Sequence, residues 1–163
     1  MLATIDNRPA FQVFKEEIGE LLARDLSKID GYVHAALPII GSDTGDYLVR
    51  NLLGVDPEKG HVVIADRVAT GDRVMFVRRD GTSAMADLKR MLADIKRRAG
   101  GVPKAALYFS CIARGPNLFG DGSVELGTIA EALGDVPLAG FFANGEISNN
   151  RLYGYTGVIV LFL

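Results

Sequence analysis

The sequence predicts an α+β fold, in which a mixed, largely antiparallel β-sheet is covered by helices. Apolar residues recur at helical spacing around residues 8–23 and 84–98. Short apolar runs rich in β-branched and aromatic residues fill residues 61–79 and much of the last third of the chain. A predicted helix between two of these later runs is typical of a crossover between parallel strands, which makes the sheet mixed.

The first predicted helix covers about residues 8–23. Asn7 is the expected N-cap and Pro9 lies close to the first turn, where its fixed φ angle suits a helix. Phe11 and Phe14 begin an apolar stripe that continues through the segment at helical spacing.

The second predicted helix is better delimited. Asp80, Thr82 or Ser83 can cap its start, and a basic triplet ending at Arg98 precedes Gly100, as the helix dipole and a glycine C-cap favour. A third, shorter helix is expected over residues 123–133, ending at Gly134.

Strands are predicted between and after these helices. HVVIAD and RVMFVRR, joined by RVATGD, are interpreted as a hairpin. ALYFSCIA and VPLAGFFA flank the third helix and are therefore expected to be parallel neighbours, and YTGVIVLFL is the last strand. The predicted core comprises Phe14, Ile18, Leu22, Val63, Met75, Val77, Leu88, Leu92, Ile95, Leu107, Phe109, Leu138 and Val160.

Composition excludes several classes of protein. A chain of 163 residues with 48% hydrophobic content is of single-domain size, so residues 1–163 are expected to form one domain. The net charge of −2 and the dispersed Lys and Arg residues argue against nucleic-acid binding. No segment resembles a signal peptide or approaches the ~20 apolar residues of a membrane span, and the single cysteine fits a reducing cytoplasm.

Both ends of the chain are typical of a cut from a longer protein. The chain starts in strand-like sequence and stops within the apolar run GVIVLFL, residues 157–163. We therefore expect a missing partner half, an exposed apolar patch and self-association as a symmetric dimer, with strand pairing through GVIVLFL if that run lies at a sheet edge.

Named catalytic and cofactor motifs give no positive signal. The chain lacks a P-loop, a dinucleotide-binding glycine motif, a zincin motif and a hydrolase elbow, so no cofactor or metal is predicted. His34 and His61 each stand alone and are expected to be structural or solvent-exposed rather than metal or haem ligands. Cys111 has no histidine near it in sequence, and a small core residue is the expected role.

Polar residues nevertheless follow the strand ALYFSC. Cys111 ends it, and Arg114-Gly115 opens a glycine-rich loop that leads to the third helix. Ligands in α/β arrangements bind outside the carboxyl ends of such strands, which makes Arg114 a candidate anion contact. A salt bridge is an equally good account of the arginine.

The neighbouring strand ends in a second polar group. Asn144, Gly145 and Glu146 follow GFFA and are expected at the same edge as Arg114. A guanidinium beside a carboxylate complements an amino-acid zwitterion, and Gly145 permits a sharp turn. The alternative is that Arg114 and Glu146 pair directly with each other.

Tyr155 and Thr156 follow in the segment RLYGYTG. Their side chains have the polar groups to line a pocket at this edge, although both residue types are also good strand formers.

Three segments, in order, carry a resemblance to a known family. ALYFSCIARG, GDVPLAGFFANGEI and RLYGYTGVIVLF resemble the C-terminal half of the FIST domain, the FIST C domain. The upstream segments RPAFQVF and GHVVIADRVATGDRVMFVRRD fit the same pattern, so the resemblance covers nearly the whole chain.

The resemblance implies a small-ligand sensory domain of signal transduction that binds compounds such as amino acids. It also implies a preceding N-terminal FIST half and an output protein such as a histidine kinase or diguanylate cyclase. The predicted binding residues are Cys111, Arg114, Gly115, Asn144, Gly145, Glu146, Tyr155 and Thr156. The alternatives are a cysteine-dependent enzyme using Cys111, a haem-based gas sensor and a purely structural interaction domain.

Overall fold

The computed structural model describes residues 1–41 and 47–163, and the predicted α+β class is confirmed. The chain folds into two compact units: the N-terminal unit, Met1–Arg79, and the C-terminal unit, Asp80–Leu163. The expectation of one domain over residues 1–163 stays a prediction. Within the described ranges, no helix has both the length and the apolar character needed to cross a membrane.

The strands of the N-terminal unit are β1 (Thr4–Ile5), β2 (Arg8–Pro9), β3 (Val33–Pro38), β4 (Tyr47–Asp56), β5 (His61–Ile64) and β6 (Met75–Arg78). The last four form an antiparallel sheet with the strand order β5-β4-β3-β6. A short hairpin, β1-β2, precedes this sheet, and its turn residues Asp6 and Asn7 both have positive φ, as a tight hairpin turn requires.

The first predicted helix is shorter than expected. Helix α1 spans Ala10–Ile18, and Gly19, with φ 84°, separates it from the single turn α2, Glu20–Ala23. The predicted cap at Asn7 is wrong because Asn7 lies in the hairpin turn, and the residue before the helix is Pro9. A 3-10 turn, Leu26–Ile29, completes the helical part of this unit.

The predicted hairpin of HVVIAD and RVMFVRR is also wrong. Both segments form strands, β5 and β6, but they lie at opposite edges of the four-stranded sheet. β5 pairs with β4, whereas β6 pairs with β3. The two segments are adjacent in sequence, but each finds its partner in a strand that comes earlier in the chain.

The C-terminal unit contains two substantial helices that the sequence placed well. Helix α3 spans Gly81–Ala99; the Asp80 carboxylate accepts from Ser83 N, and Gly100 ends the helix in the left-handed conformation. Helix α4 is the single turn Pro116–Phe119, and α5, Val124–Leu133, ends at Gly134 as predicted. The strands are β7 (Ala105–Cys111), β8 (Leu138–Ala143), β9 (Glu146–Ser148), β10 (Arg151–Tyr153) and β11 (Gly157–Phe162).

The main sheet of this unit has the order β11-β7-β8. β7 and β8 run parallel, as the crossover helix between them predicts, whereas β11 is antiparallel to β7. β11, which carries most of the GVIVLFL run, therefore lies at an edge of the sheet. In the chain segment that joins β8 to β11, β9 and β10 form a separate antiparallel hairpin.

The two faces of this sheet carry different side chains. One face, with Ala106 and Tyr108 on β7, packs against Leu88 and Leu92 of α3 and Ile129 of α5. The larger side chains of the opposite face are those of Leu107, Phe109, Phe141, Val158, Val160 and Phe162. Phe141 is 66% exposed and Phe162 is 49% exposed.

This arrangement corrects part of the predicted core. Phe14, Ile18, Leu88 and Leu92 are buried as predicted, but Met75 and Val160 are exposed. The other predicted core residues are half-buried: Leu22, Val63, Val77, Ile95, Leu107, Phe109 and Leu138. In β7 the helix-packed face carries Ala106, Tyr108 and Ser110, whereas the predicted core residues Leu107 and Phe109 lie on the opposite face. Both faces of this strand are largely apolar, so its sequence alone does not indicate which face packs against the helices.

Candidate ligand site at the end of the C-terminal sheet

Three strand ends of the C-terminal unit meet at Cys111. Its backbone N–H donates to the carbonyl of Thr156 at 2.9 Å, and the next residue, Ile112, donates to the carbonyl of Ala143 at 2.7 Å. The end of β7 is therefore joined both to the residue before β11 and to the end of β8. The polar groups predicted from sequence lie on the loops that leave this junction.

Arg114 forms an ion pair with Glu125 beside this junction. Its Nε and Nη2 atoms each lie 2.7 Å from Glu125 Oε1, and the arginine and glutamate side chains are 12% and 4% exposed. Glu125 also accepts from Tyr108 Oη at 2.7 Å and from Ser110 Oγ at 3.0 Å. We call these four residues the Glu125 network.

The sequence builds the Glu125 network from two simple periodicities. Tyr108 and Ser110 are two apart on β7 and so point to the same, helix-packed face. Glu125 lies in the first turn of α5, where the helix dipole favours a carboxylate. Burial, followed by the hydrogen bond to Glu125, raises the pKa of Tyr108 far above its usual range, so the hydroxyl stays a donor at all physiological pH values.

Sequence reasoning missed Glu125. A signal was present in the two hydroxyl side chains that share one face of an otherwise apolar strand, since buried hydroxyls need an acceptor. The network also settles one alternative: direct pairing of Arg114 with Glu146 is wrong, because the ion pair of Arg114 is with Glu125.

The rest of the Arg114 guanidinium faces the loop before β11. Nη1 donates to the backbone carbonyl of Tyr155 at 3.4 Å, and Cζ lies 5.3 Å from the ring centroid of Phe119. Tyr155 has a φ of 63°, an uncommon conformation for a non-glycine residue, and it directs its carbonyl toward the arginine. Arg114 is thereby held from two directions, by Glu125 and by this loop.

Glu146, the first residue of β9, approaches the same loop. Thr156 Oγ1 donates to Oε2 of the carboxylate. The second oxygen, Oε1, is buried and has no hydrogen-bond partner among residues 1–41 and 47–163. We call Arg114, Glu146, Tyr155 and Thr156 the Glu146 site.

The pKa of the Glu146 carboxyl group reflects its partial burial. Burial raises the pKa of its carboxyl group, and the Thr156 hydrogen bond, the charge of Arg114 and the Glu146 backbone amide only partly oppose that effect. Arg114 is thus close enough to stabilise the carboxylate electrostatically, although its ion pair is with Glu125. The site thus holds one partly buried carboxyl group, of which one oxygen, Oε1, has no donor in the described residues.

Two glycines shape the approach to the Glu146 site. Gly145 has a φ of 130°, and a Cβ atom there would lie 2.5 Å from the carbonyl oxygen of Tyr153. Gly115 has a φ of 54°, and a Cβ atom there would lie 2.7 Å from the Phe142 ring. Both positions therefore require glycine, which explains the sharp turn that brings Glu146 back toward Thr156.

Asn144 and Cys111 have other surroundings. Asn144 is exposed at the turn between β8 and β9, and within the described ranges its side chain forms no hydrogen bond with the Glu146 site. Cys111 is buried at the strand junction, which favours a packing role over that of an accessible nucleophile. Of the predicted site residues, Arg114, Glu146, Tyr155 and Thr156 come together, with Gly115 and Gly145 shaping their loops.

The histidines lie in the N-terminal unit. His34, on β3, is buried, and burial, followed by the charge of Arg79, lowers its pKa, so its imidazole is neutral near pH 7. His61 is half-buried at the start of β5. Outside residues 42–46, no three His, Cys, Asp or Glu side chains are grouped in a way that suits a metal ion.

Comparison with known proteins places the chain in a family. The FIST C domain matches residues 10–149. An uncharacterized protein of Mycobacterium tuberculosis is 38% identical over 148 residues, which cover 88% of this chain and 38% of that protein. An uncharacterized protein of Mycobacterium bovis is 40% identical over 123 residues, which cover 73% of this chain and 32% of that protein.

The matched part of each relative is thus less than two fifths of its length. No solved structure matches the chain significantly. The match to the family covers both units of the chain and includes Arg114 and Glu146. The chain therefore belongs to the FIST C domain family, whose members are sensory domains of signal-transduction proteins.

Proposed function

We propose that this chain is a sensory domain that binds a small, amino-acid-like molecule at the Glu146 site. The observation that carries the proposal is Glu146 Oε1, a buried carboxylate oxygen without a hydrogen-bond donor in the described ranges. Buried polar atoms are nearly always paired, and those left unpaired in a native fold call for an explanation. A ligand with an N–H donor supplies the missing partner.

The chemistry of the site favours an amino group as that donor. An ammonium group offers three N–H donors and a positive charge, and it would satisfy Oε1 while offsetting the burial of the carboxylate. Binding of a cation would favour the ionised form of Glu146, whose pKa burial raises. A neutral or anionic donor provides no such compensation.

Arg114 supplies a positive charge for the other end of the ligand. Its guanidinium has five N–H donors, and Nε, Nη1 and Nη2 each use a hydrogen on Glu125 or on the Tyr155 carbonyl. The remaining donors suit a ligand carboxylate. A carboxylate contact at Arg114 together with an amino contact at Glu146 matches the two ends of a zwitterion.

The same contacts offer a route by which a ligand would alter the domain. Arg114 is bonded to Glu125 at the start of α5 and to the loop before β11. A ligand that draws on the arginine would shift the balance between these contacts. We infer that the signal passes to other parts of a longer protein, such as an N-terminal FIST half and a histidine kinase or diguanylate cyclase output.

A thermal-shift screen tests the proposal. The chain is heated with a panel of α-amino acids, with matched amines that lack the carboxylate and with matched acids that lack the amine. We expect stabilisation by at least one amino acid, and little by its amine or acid counterpart, since only the zwitterion uses both contacts.

Two variants localise the binding. Glu146→Gln keeps the shape of the side chain but removes the charge, and we expect at least tenfold weaker binding by isothermal titration calorimetry. Glu131→Gln removes an exposed charge from α5 and serves as the matched control, with unchanged affinity expected. Equal affinity of the wild type and Glu146→Gln would refute the proposed site.

A further inference from the structure

The charged groups in and beside the Glu146 site do not balance. Arg114 is a cation with two carboxylates near it, those of Glu125 and Glu146. Because Arg114 lies 2.7 Å from Glu125 Oε1, these two charges offset each other, and the charge of an ionised Glu146 stays in excess. All three residues belong to the C-terminal unit. When Glu146 is ionised, the site therefore carries an unbalanced negative charge.

Arg151 is a second basic residue of the hairpin that carries Glu146. It lies opposite Ser148, whereas Glu146 lies opposite Tyr153. Within the described ranges, the charge that acts on the pKa of the Glu146 carboxyl group is that of Arg114, and Arg151 is not among the causes of its shift. We therefore count Arg114 as the cation of this site.

The two ends of a bound amino acid would be held unequally. Its ammonium group would meet Glu146, whose charge is not offset. Its carboxylate would meet Arg114, whose Nε and Nη2 atoms already donate to Glu125 and whose guanidinium lies 5.3 Å from the centroid of the Phe119 ring. A carboxylate at the remaining donors of Arg114 would also lie near the like charge of Glu125, which reduces the gain from that contact.

We propose that the Glu146 site selects ligands of net positive charge, so that its amino acid is one with an ammonium or guanidinium group on the side chain. This inference rests on the proposed function, because it refines the class of ligand that binds at Glu146. With a neutral amino acid, the ligand carboxylate cancels the benefit of the ligand ammonium, and the filled site keeps its negative charge. A second cationic group offsets that carboxylate, whereas an acidic side chain adds a further like charge.

Three amino acids with side chains of similar length test the proposal. Lysine ends in an ammonium group, norleucine has a hydrogen atom in its place, and aminoadipate ends in a carboxylate. In isothermal titration calorimetry at neutral pH and low ionic strength, we expect lysine to bind about tenfold more tightly than norleucine, and aminoadipate to bind more weakly than norleucine. Added salt should narrow the difference between lysine and norleucine, because it screens the interaction between charges.

A variant of Glu146 separates charge selection from a general loss of affinity. Glu146→Gln removes the excess negative charge, so lysine and norleucine should bind this variant equally. The ratio of the two Kd values compares two ligands on the same variant, and a change in stability alone does not alter it. Glu131→Gln, at an exposed position of α5, is the matched control and should keep the preference for lysine. Thermal unfolding confirms that both variants are folded.

The outcomes distinguish this inference from the proposed function. Norleucine that binds the wild type as tightly as lysine, or a preference for lysine that persists in Glu146→Gln, would overturn the charge selection and leave the proposed function in place. Cadaverine, which is lysine without its carboxylate, is the further probe. Binding of cadaverine without binding of any amino acid would refute the proposed function and support the selection of cations. A wild type that binds neither cadaverine nor an amino acid would overturn both.

Discussion

Glu125 and Glu146 are two carboxylates near the same arginine, and they are satisfied to different extents. Glu125 is almost fully buried and accepts hydrogen bonds from Tyr108, Ser110 and Arg114. Glu146 is only partly buried, yet it has one donor, Thr156, and one buried oxygen without a partner in the described residues. Depth of burial alone therefore does not identify the site that is open to a ligand.

The difference teaches that completeness of hydrogen bonding separates a structural carboxylate from a candidate binding group. A buried ion pair stabilises little compared with an apolar replacement, but it is costly to break. Glu125 is committed to Arg114 and to the two hydroxyls of β7. Glu146 keeps an unused acceptor, and the energetic cost of that acceptor is what a ligand would relieve.

The largest expected effect comes from removing Glu125, the carboxylate with partners on both oxygens. Glu125→Ala leaves Arg114 as a buried, unpaired cation, and the free energy of unfolding should fall by about 3–5 kcal/mol. Urea denaturation measures this change. Glu131→Ala, at an exposed position of the same helix, should change stability by less than about 0.5 kcal/mol. Similar losses in the two variants would contradict the structural role of Glu125.

A smaller loss is expected when only one donor of the Glu125 network is removed. Tyr108→Phe takes away the hydroxyl that donates to Glu125, and a hydrogen bond to a charged group contributes about 1.5–3 kcal/mol. Urea denaturation should show a loss in this range. Tyr32→Phe, at a position 40% exposed in the N-terminal unit, is the control and should be nearly neutral. A Tyr108→Phe variant as stable as the wild type would show that the Glu125 network tolerates a missing donor.

Thr156→Val tests, in the same way, the side-chain hydroxyl that donates to Glu146. Loss of its hydroxyl leaves Oε2 of Glu146 without this donor, and we expect a destabilisation of about 1 kcal/mol by urea denaturation. Thr82→Val, at an exposed position in the first turn of α3, controls for the exchange of threonine for valine. Stability equal to the wild type would mean that Glu146 does not depend on Thr156.

The smallest effect at neutral pH is expected for Glu146→Gln, and its pH dependence sharpens the comparison. The pKa of Glu146 is raised above its ordinary value of 4.5, so the folded state binds this proton more tightly than the unfolded state does. That contribution is fully present below the unfolded pKa and is lost as the pH rises through the folded pKa. The variant has no such group and should gain in melting temperature relative to the wild type between pH 4 and pH 7.

Thermal unfolding at pH 4 and at pH 7, without any ligand, measures the difference in melting temperature between the variant and the wild type. Glu131→Gln provides the control, with the same difference from the wild type at both pH values. A wild type that becomes more stable relative to Glu146→Gln as the pH rises would show that Glu146 is stabilised in its charged form without a ligand.

The features that the sequence determined by itself are local ones. Asp80 caps α3, Gly100 ends it and Gly134 ends α5, because capping groups act on backbone atoms within a few residues of themselves. The parallel pairing of β7 and β8 follows from the short helical crossover between them. The turn at Gly145 belongs to the same class, since its cause lies in one residue's freedom to adopt a positive φ.

Tertiary structure alone decided the features that depend on residues far apart in the chain. β5 and β6 take separate edges of one sheet because each pairs with an earlier strand, and β7 buries the face with Tyr108 because α3 and α5 pack there. The partner of Arg114 is Glu125, and Glu146 accepts a hydrogen bond from Thr156, which lies beyond the β9-β10 hairpin. Local propensity extends over one or two turns, whereas these contacts are chosen by packing and hydrogen-bond satisfaction throughout each unit.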